Sequence, residues 1–269
     1  NGDRMKISFD YLFSWHGSNA PDGLHHIKRL EWLSVVECLK GKYIFSYDGG
    51  PTVEIGPKEF YIAPSGVLQD IVHRTDENGE FACQYVFLTA VMDGIHRLDD
   101  IYDFPPKLPN QYNNTMHDAL SELETLGETE YCLHYACAYR ITDLLLRCAT
   151  PKKQTRLPEK AVQYIAEHLT EPISIQDLCR AASLSESELF RQFAAAGSTP
   201  IKYINARRLT LACTLLMHEH MSIEKTAQAC GFENQSYFTR IFRKKTGMTP
   251  SQYRKQYCGY NAFGMPNEK

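Results

Sequence analysis

The 269-residue sequence predicts an α+β protein of two domains. An N-terminal antiparallel β-barrel with a helical hairpin precedes an all-α domain of two helix-turn-helix units. Three observations predict this class. Short extended runs alternate with turn residues between 27 and 92, the hydrophobic period becomes helical after 112, and one helical unit occurs twice beyond 172.

Composition indicates a soluble globular chain rather than a disordered or membrane protein. Hydrophobic residues make up 43%, the mean hydropathy is -0.39 and the formal net charge is -3. No apolar run reaches the ~20 residues of a membrane helix, and the first residues show no export signal. The 9 cysteines are scattered without a C-x-x-C pair, as expected of free thiols in a reducing compartment. We therefore expect a cytoplasmic protein with no membrane partner.

The first domain is expected over residues 1–112. "RLEWLSVVECLKGKYIFSYDGG" contains two extended runs separated at Lys40-Gly41, and "TVEIGPKEFYIAPSG" repeats the scheme with Gly56-Pro57 and Pro64 as breakers. "DIVHR" and "FACQYVFLTAV" follow across a polar turn. Short strands at this spacing are typical of a sandwich or small barrel.

Residues 113–148 are predicted to form a helical dimerisation segment. Its two apolar stripes lie beside a domain that already has a core, so we expect them to form a homodimer interface. The polar, cationic segment 149–157 is the predicted linker. The stripes contain Met116, Leu120 and Leu123 in the first helix, and Cys137, Ile141, Leu144, Leu145 and Cys148 in the second.

The second predicted domain, 158–258, contains an internal repeat, and 259–269 is a tail. "ISIQDLCRAASLSESELFRQFAAAGSTPIKYI" aligns with "MSIEKTAQACGFENQSYFTRIFRKKTGMTPSQYR" at an offset of about 49 residues. Each copy has a predicted helix cap, a short helix, a tight turn and a second helix, which is the unit that enters the major groove of DNA. The four predicted caps are Ser174, Ser185, Ser222 and Asn234.

Charge is divided unequally along the chain. Residues 156–258 hold 14 Lys and Arg against 9 Asp and Glu, a net +5, and the remainder holds 15 against 23, a net -8. Such a division favours a polyanion-binding C-terminal part. A solvated basic face is the alternative when the charge is considered alone.

The stretch "GFENQSYFTRIFRKKTGMTP" adds a reason to expect DNA as the partner. A helix from Asn234 would bury Phe238 and Phe242 and turn Gln235, Ser236, Thr239 and Arg240 outward. Gln and Arg side chains can bond adenine and guanine edges, and cations at the helix end can engage phosphates.

"SIEKTAQACGFENQSYFTRIFRKKTGMTPSQYR", together with "YINARRLTLACTLL" upstream, resembles the C-terminal signature of the AraC/XylS family of bacterial transcription regulators. The resemblance covers about 172–254 and implies two recognition helices that enter successive major-groove segments of double-stranded DNA. By position it implies DNA contacts at Ser187, Phe190 and Arg191 in the first helix, and at Asn234, Gln235, Ser236, Thr239 and Arg240 in the second. Lys244, Lys245 and Arg207 are the phosphate candidates.

Two charged residues in this domain have expected structural roles. Glu188 lies three residues after Ser185, which predicts a capping box. Arg208 lies within an apolar helix stripe, which predicts an internal ion pair, with Asp177 as one candidate partner.

The N-terminal half resembles the cupin-type effector domain common in that family. Metal-binding cupins use an H-x-H pair, which the stretch after "IAPSG" lacks, and the "HEH" at 218–220 has no third ligand, so no metal and no cofactor are expected. Aromatic residues at strand period suggest a pocket for a small effector, although an ordinary core explains them as well. The candidate residues are Trp32, Tyr43, Phe45, Tyr61, His73 and Gln84.

The resulting expectation is a transcription regulator, not an enzyme. On the family resemblance it is an activator that works with RNA polymerase and responds to a sugar or related metabolite. Two alternatives remain open at this point: a cupin-type enzyme fused to a DNA-binding domain, and a regulator with no small-molecule ligand.

Overall fold

A computed structural model of the chain describes residues 6–92, 96–127, 129–152, 157–218 and 221–257. Side chains at 10, 11, 217, 218, 256 and 257 are not described. The chain divides into two compact units, Asn1–Lys152 and Lys153–Lys269, and this division lies inside the segment 149–157. Part of that segment (153–156) and the predicted tail 259–269 lie outside the described residues.

The first unit contains two antiparallel sheets. The larger has the order β1-β8-β3-β6 with β9 on β8, and the smaller has the order β2-β7-β4-β5. The strands are β1 Ile7–Ser18, β2 His25–Arg29, β3 Leu33–Lys40, β4 Lys42–Tyr47, β5 Val53–Ile55, β6 Glu59–Ala63, β7 Leu68–Arg74, β8 Ala82–Met92 and β9 His96–Arg97. The long first strand precedes the region in which the sequence predicted strands.

The two sheets pack face to face rather than forming one closed barrel within the described residues. Tyr61 on β6 stacks on Phe45 of β4 with ring centroids 4.2 Å apart, and it meets Tyr43 edge-on at 5.3 Å. These rings join the larger sheet to the smaller one. The α+β, two-domain prediction is confirmed, and the closed barrel is replaced by a sandwich.

Two helices, α2 Asn113–Thr125 and α3 Tyr131–Cys148, cover the other face of the larger sheet, after a short α1 Leu98–Ile101 and a 3₁₀ turn at Asn110–Tyr112. One hydrophobic cluster joins both helices to alternate residues of β3, β6 and β8. Ile141 and Leu145 are fully buried in it, and Leu144 is 6% exposed. The predicted interface stripes are therefore core within one chain, because a central sheet that is apolar on both faces needs a cover on each.

The end of this unit extends into the predicted linker. β10 Tyr102–Asp103 pairs with β11 Thr150–Pro151, and the Lys152 amide donates to the Ile101 carbonyl over 2.9 Å. Residues 150–152 are thus held on the first unit and are not a free connection.

The second unit is helical. Its elements are α4 Glu159–Glu167, α5 Ile175–Ala182, α6 Glu186–Ala195, α7 Pro200–His218, α8 Ile223–Ala229, α9 Gln235–Thr246 and α10 Pro250–Tyr257. Helices α5 and α6 form the first helix-turn-helix unit, α8 and α9 form the second, and α7 joins them. All four predicted caps accept a backbone N–H three residues on. Among the described residues, no helix has the length and apolar character needed to cross a bilayer.

Candidate nucleic-acid interface and effector site

The second recognition helix, α9, has one face that packs in the core of the domain and an opposite face of exposed polar side chains. Phe238 and Phe242 are fully buried with ring centroids 5.5 Å apart, and the Phe242 ring meets Tyr253 of α10 edge-on. The opposite side presents an amide, two hydroxyls and a guanidinium, which are groups suited to base edges. Of these four residues, Gln235, Ser236 and Arg240 are exposed and Thr239 is half-buried.

Two neighbouring residues limit how this face can be used. The Asn234 side-chain oxygen accepts a hydrogen bond from the Tyr237 amide over 2.8 Å, so the first role of this residue is to cap the helix. The Arg240 guanidinium lies over the Tyr237 ring, 5.3 Å from its centroid. A cation–π contact of this kind orients the guanidinium plane while the side chain stays exposed.

The cations at the end of α9 are not equivalent. Arg243 and Lys244 are exposed, whereas Lys245 is half-buried and its Nζ donates to the Ala206 carbonyl on α7 over 3.4 Å. Lys244 is therefore the stronger phosphate candidate, and Lys245 has a contact within the domain.

The first recognition helix, α6, has the same architecture with different charge. Leu189 and Phe193 are buried, Ser187 and Arg191 are exposed, and Phe190 is half-buried. Its last turn carries alanines where α9 carries cations. The surface of α6 is therefore less attractive to phosphates than that of α9.

Glu188 does not complete the predicted capping box. Its amide donates to Ser185 Oγ over 3.3 Å, but its carboxylate accepts from Arg191 and Gln192. Hydrogen bonds from Arg191 and then Gln192 lower the pKa of Glu188 to about 2. The reciprocal capping box is found instead at the start of α5, between Ser174 and Asp177.

The two arginines of α7 lie closer to the domain interior. Arg208 donates from Nε to the Leu169 carbonyl over 2.8 Å and from Nη2 to the Glu171 carbonyl over 2.5 Å. The predicted ion pair between Arg208 and Asp177 is not formed, because the Asp177 carboxylate binds Arg180 and caps α5. Arg207 is half-buried and interacts within the chain, so its role as a phosphate contact stays a prediction.

Five of the six effector candidates lie in the sandwich interior. Tyr43, Phe45 and Tyr61 are fully buried, the Tyr61 ring contacts both of the others, and the His73 ring lies 4.9 Å from that of Tyr43. Trp32 is also fully buried, and its ring lies 6.2 Å from that of Phe87.

The sixth candidate, Gln84, lies on the opposite face of the larger sheet, under α2, and is therefore no longer a candidate for the effector pocket. On β8 it has the parity of Val86 and Leu88, which pack under α2 and α3. Its amide donates to Glu37 and to Ser121 of α2, and Glu37 is also bonded to His117. The buried Glu37 carboxylate explains why the sheet carries Gln84 at this position.

Sequence reasoning missed three polar residues of the interior. Gln69 is fully buried, and neither end of its amide is hydrogen-bonded within the described residues. Burial lowers the pKa of Lys28 to about 7, and it lowers the pKa of His26 to about 4 with help from the Lys28 charge. Strand periodicity could have identified these residues. His26 and Lys28 are two residues apart on β2 and share its inner face, and Gln69 shares the inner face of β7 with His73.

The described residues contain no group of three or more His, Cys, Asp or Glu side chains that could hold a metal ion. The "HEH" at 218–220 lies outside the described side chains. Burial, together with the neighbouring His26, lowers the pKa of His73 to about 3, so both interior imidazoles are neutral at pH 7.

Comparison with known proteins places the second unit in a family. Residues 178–256 match a family described as "Helix-turn-helix domain". "Probable transcriptional regulator LumQ" of Photobacterium leiognathi is 33% identical in an alignment of 118 residues that covers 40% of this chain and 48% of that protein. "HTH-type transcriptional activator RhaR" of Escherichia coli K12 is 36% identical over 105 residues, 39% of this chain and 37% of that one. The matches thus span less than half of either relative.

A solved structure resembles the whole chain. ToxT from Vibrio cholerae has a TM-score of 0.58 at 12% identity, covering 91% of this chain and 98% of that one. At this identity the similarity concerns the fold alone. It confirms an N-terminal sheet domain followed by a helical domain.

Fold and site together define a protein with a double helix-turn-helix DNA-binding domain. Over that domain the chain is similar to transcription regulators of the AraC/XylS family.

Proposed function

We propose that this protein is a sequence-specific regulator of transcription that binds double-stranded DNA through α6 and α9. The observation that carries the proposal is the exposed polar face of α9, which combines groups able to read bases with cations able to bind phosphates. Selection of the full chain against a library of duplexes with 20 random base pairs should enrich a defined sequence. Retention of all library members in equal proportion would contradict sequence-specific regulation.

Activation is the direction of control that we propose. A relative carries the name of a transcriptional activator, and family resemblance points the same way. The regulator would act with RNA polymerase in the cytoplasm and would need no enzymatic step. A reporter placed behind the selected sequence should gain expression when the full chain is supplied, and a fall in expression would indicate a repressor.

We propose that a small-molecule effector binds between the two sheets. The fully buried Gln69 amide, with both ends available, supports this proposal because such groups are costly to leave without partners. Aromatic rings beside neutral polar groups suit a sugar or related metabolite, whose apolar face can stack on a ring. A thermal-shift screen of the full chain against sugars tests it, since ligand at 100 times Kd adds ~2.7 kcal/mol.

An acid is the second candidate effector. A structure of ToxT was solved with an unsaturated fatty acid bound. In this chain the observation that favours an acid is Lys28, a basic side chain 8% exposed in the sandwich. A carboxylate beside Lys28 would offset part of the cost of burying its charge.

We also propose a homodimer, with an interface different from the stripes that the sequence indicated. The outer surface of α3 carries large exposed side chains, including Tyr131 at 67% and Leu133 at 45%. Tyr135 and Tyr139 follow at helical spacing on the same helix, each 47% exposed. Exposed aromatic side chains in a row favour association, and a second copy of this chain is the occupant we propose.

A further inference from the structure

The two recognition helices each carry an arginine at the same repeat position, and each arginine is contacted by the residue three positions earlier. In α9, Arg240 lies over the Tyr237 ring. In α6, Arg191 forms a two-point ion pair with Glu188. The repeat offset of 49 places Glu188 opposite Tyr237 and Arg191 opposite Arg240. The duplicated unit thus supports its arginine in both copies, once with a ring and once with a carboxylate.

The atoms used in the ion pair leave a defined part of Arg191 open. Nε donates to Glu188 Oε2 over 2.7 Å and Nη2 donates to Oε1 over 2.6 Å. This occupies the side edge of the guanidinium, so the terminal edge formed by Nη1 and Nη2 keeps a hydrogen on each nitrogen. Guanine O6 and N7 accept two parallel N–H bonds from an edge of that kind.

Glu188 is itself held in place. Gln192 Nε2 donates to its Oε1 over 2.7 Å, and the helix start is already capped by Ser185. The carboxylate therefore has no helix-capping duty. Its contacts restrict the rotamers of Arg191, which lowers the entropy that this side chain must lose when it reads a base.

The carboxylate also changes the charge that α6 presents to DNA. The exposed or half-exposed charges of α6 are Glu186, Glu188 and Arg191, a net -1, whereas α9 carries four cations and no acid. A negative group near phosphates weakens binding to every sequence. Glu188 should therefore sharpen base choice while reducing sequence-independent affinity.

We propose that Glu188 is a positioning residue for DNA reading, which holds Arg191 with its terminal edge open for guanine and suppresses binding to unrelated sequences. This inference rests on the proposed DNA-binding function. It assigns base choice in the first unit to the Glu188–Arg191 pair and leaves most of the phosphate attraction to the second unit.

The test compares full-chain variants by selection from the random duplex library, followed by binding isotherms on the enriched duplex, its single-base variants and a scrambled duplex. Arg191→Ala should remove a guanine preference at one position. Glu188→Ala should weaken the same preference about fivefold, the upper range for an exposed ion pair, and should raise affinity for the scrambled duplex. Glu188→Gln should raise affinity for the scrambled duplex similarly and keep more of the guanine preference, because its amide oxygen still accepts from Arg191.

Glu186→Gln is the matched control, since Glu186 is exposed on the same helix and is not bonded to Arg191. It should raise affinity for the scrambled duplex and leave every base preference unchanged. An unchanged guanine preference in Glu188→Ala, with a melt like wild type, would overturn the inference while leaving the proposed function standing. Failure of the wild-type chain to enrich any sequence would overturn both.

Discussion

At the scale of single residues, Arg240 is the side chain whose replacement distinguishes base reading from folding. It is exposed, and its guanidinium lies against the face of the Tyr237 ring. We predict that Arg240→Ala lowers specific binding by ~1–3 kcal/mol and relaxes preference at one base pair. Isotherms on the enriched and single-base-variant duplexes measure this loss.

Lys244→Ala is the control for Arg240→Ala. Lys244 is an exposed cation without the carbonyl contact of Lys245, so its loss should weaken all sequences about equally. The free energy of unfolding of both variants should lie within ~0.5 kcal/mol of the wild-type value, as is usual for substitutions at exposed positions. A sharp fall in the melting temperature of Arg240→Ala with specificity intact would identify Arg240 as a structural residue.

Lys28 provides a pH test of the effector class. Burial lowers its pKa to about 7, so above pH 7 the free protein holds it mostly neutral. A carboxylate ligand would need the charged form and would bind together with a proton. We predict that affinity for an acid effector falls as pH rises from 7 to 9, by up to about tenfold per unit, whereas a neutral sugar shows no such slope. Calorimetry in buffers of different ionisation enthalpy measures the proton uptake.

Lys28→Met is the matched variant, because it keeps an unbranched apolar stem and removes the charge. It should abolish the pH slope, and it should also change the pH dependence of stability. Since the unfolded chain holds the Lys28 proton up to about pH 10.4, wild-type stability should rise with pH between 7 and 9 through this residue. If the affinity for the acid depends on pH equally in the wild-type protein and in Lys28→Met, another group takes up the proton.

At the scale of elements, local chemistry was predictable from sequence and the choice of sheet face was not. The caps at Ser185 and Asn234 were predictable because a cap depends on side chains within three residues. Gln84 was misplaced because alternation separates two faces of β8 without showing which face meets the other sheet. That choice depends on α2, whose Ser121 bonds to Gln84 from 37 residues further along the chain.

Helix α3 illustrates the same limit and leads to a prediction. Its inner stripe is core, so Ile141→Glu should bury an unpaired charge and unfold the first unit, at a cost of about 3–5 kcal/mol. Tyr131→Glu with Tyr135→Glu changes exposed positions, so it should leave the fold intact and yield a monomer. Circular dichroism melts and light scattering of the full chain separate these outcomes. If the double tyrosine variant is folded and still dimeric, the dimer interface does not lie on the outer surface of α3.

At the scale of the whole molecule, the arrangement of charge matters more than its total. The chain has a net charge of -3, yet residues 156–258 carry +5. DNA within a Debye length of ~10 Å responds to the charges facing it, and distant acids are screened. The excess of cations could be counted from the sequence. Which of these cations face solvent could be seen only from the packing of α9 against α7, where Lys245 donates to the Ala206 carbonyl.

This segregation predicts how binding should depend on salt. We expect the affinity of the full chain for duplex DNA to fall steeply between 50 and 200 mM salt, because cations that bind phosphates release condensed counterions. Arg243→Gln with Lys244→Gln should reduce the slope of log affinity against log salt by about 2, since each lost phosphate contact removes ~0.9. The control pair, Lys40→Gln with Lys58→Gln, lowers the net charge by the same amount but lies in the first unit. It should leave the slope unchanged. Equal slopes for the two double variants would mean that total charge governs binding, and the α9 cations would then lose their role as phosphate contacts.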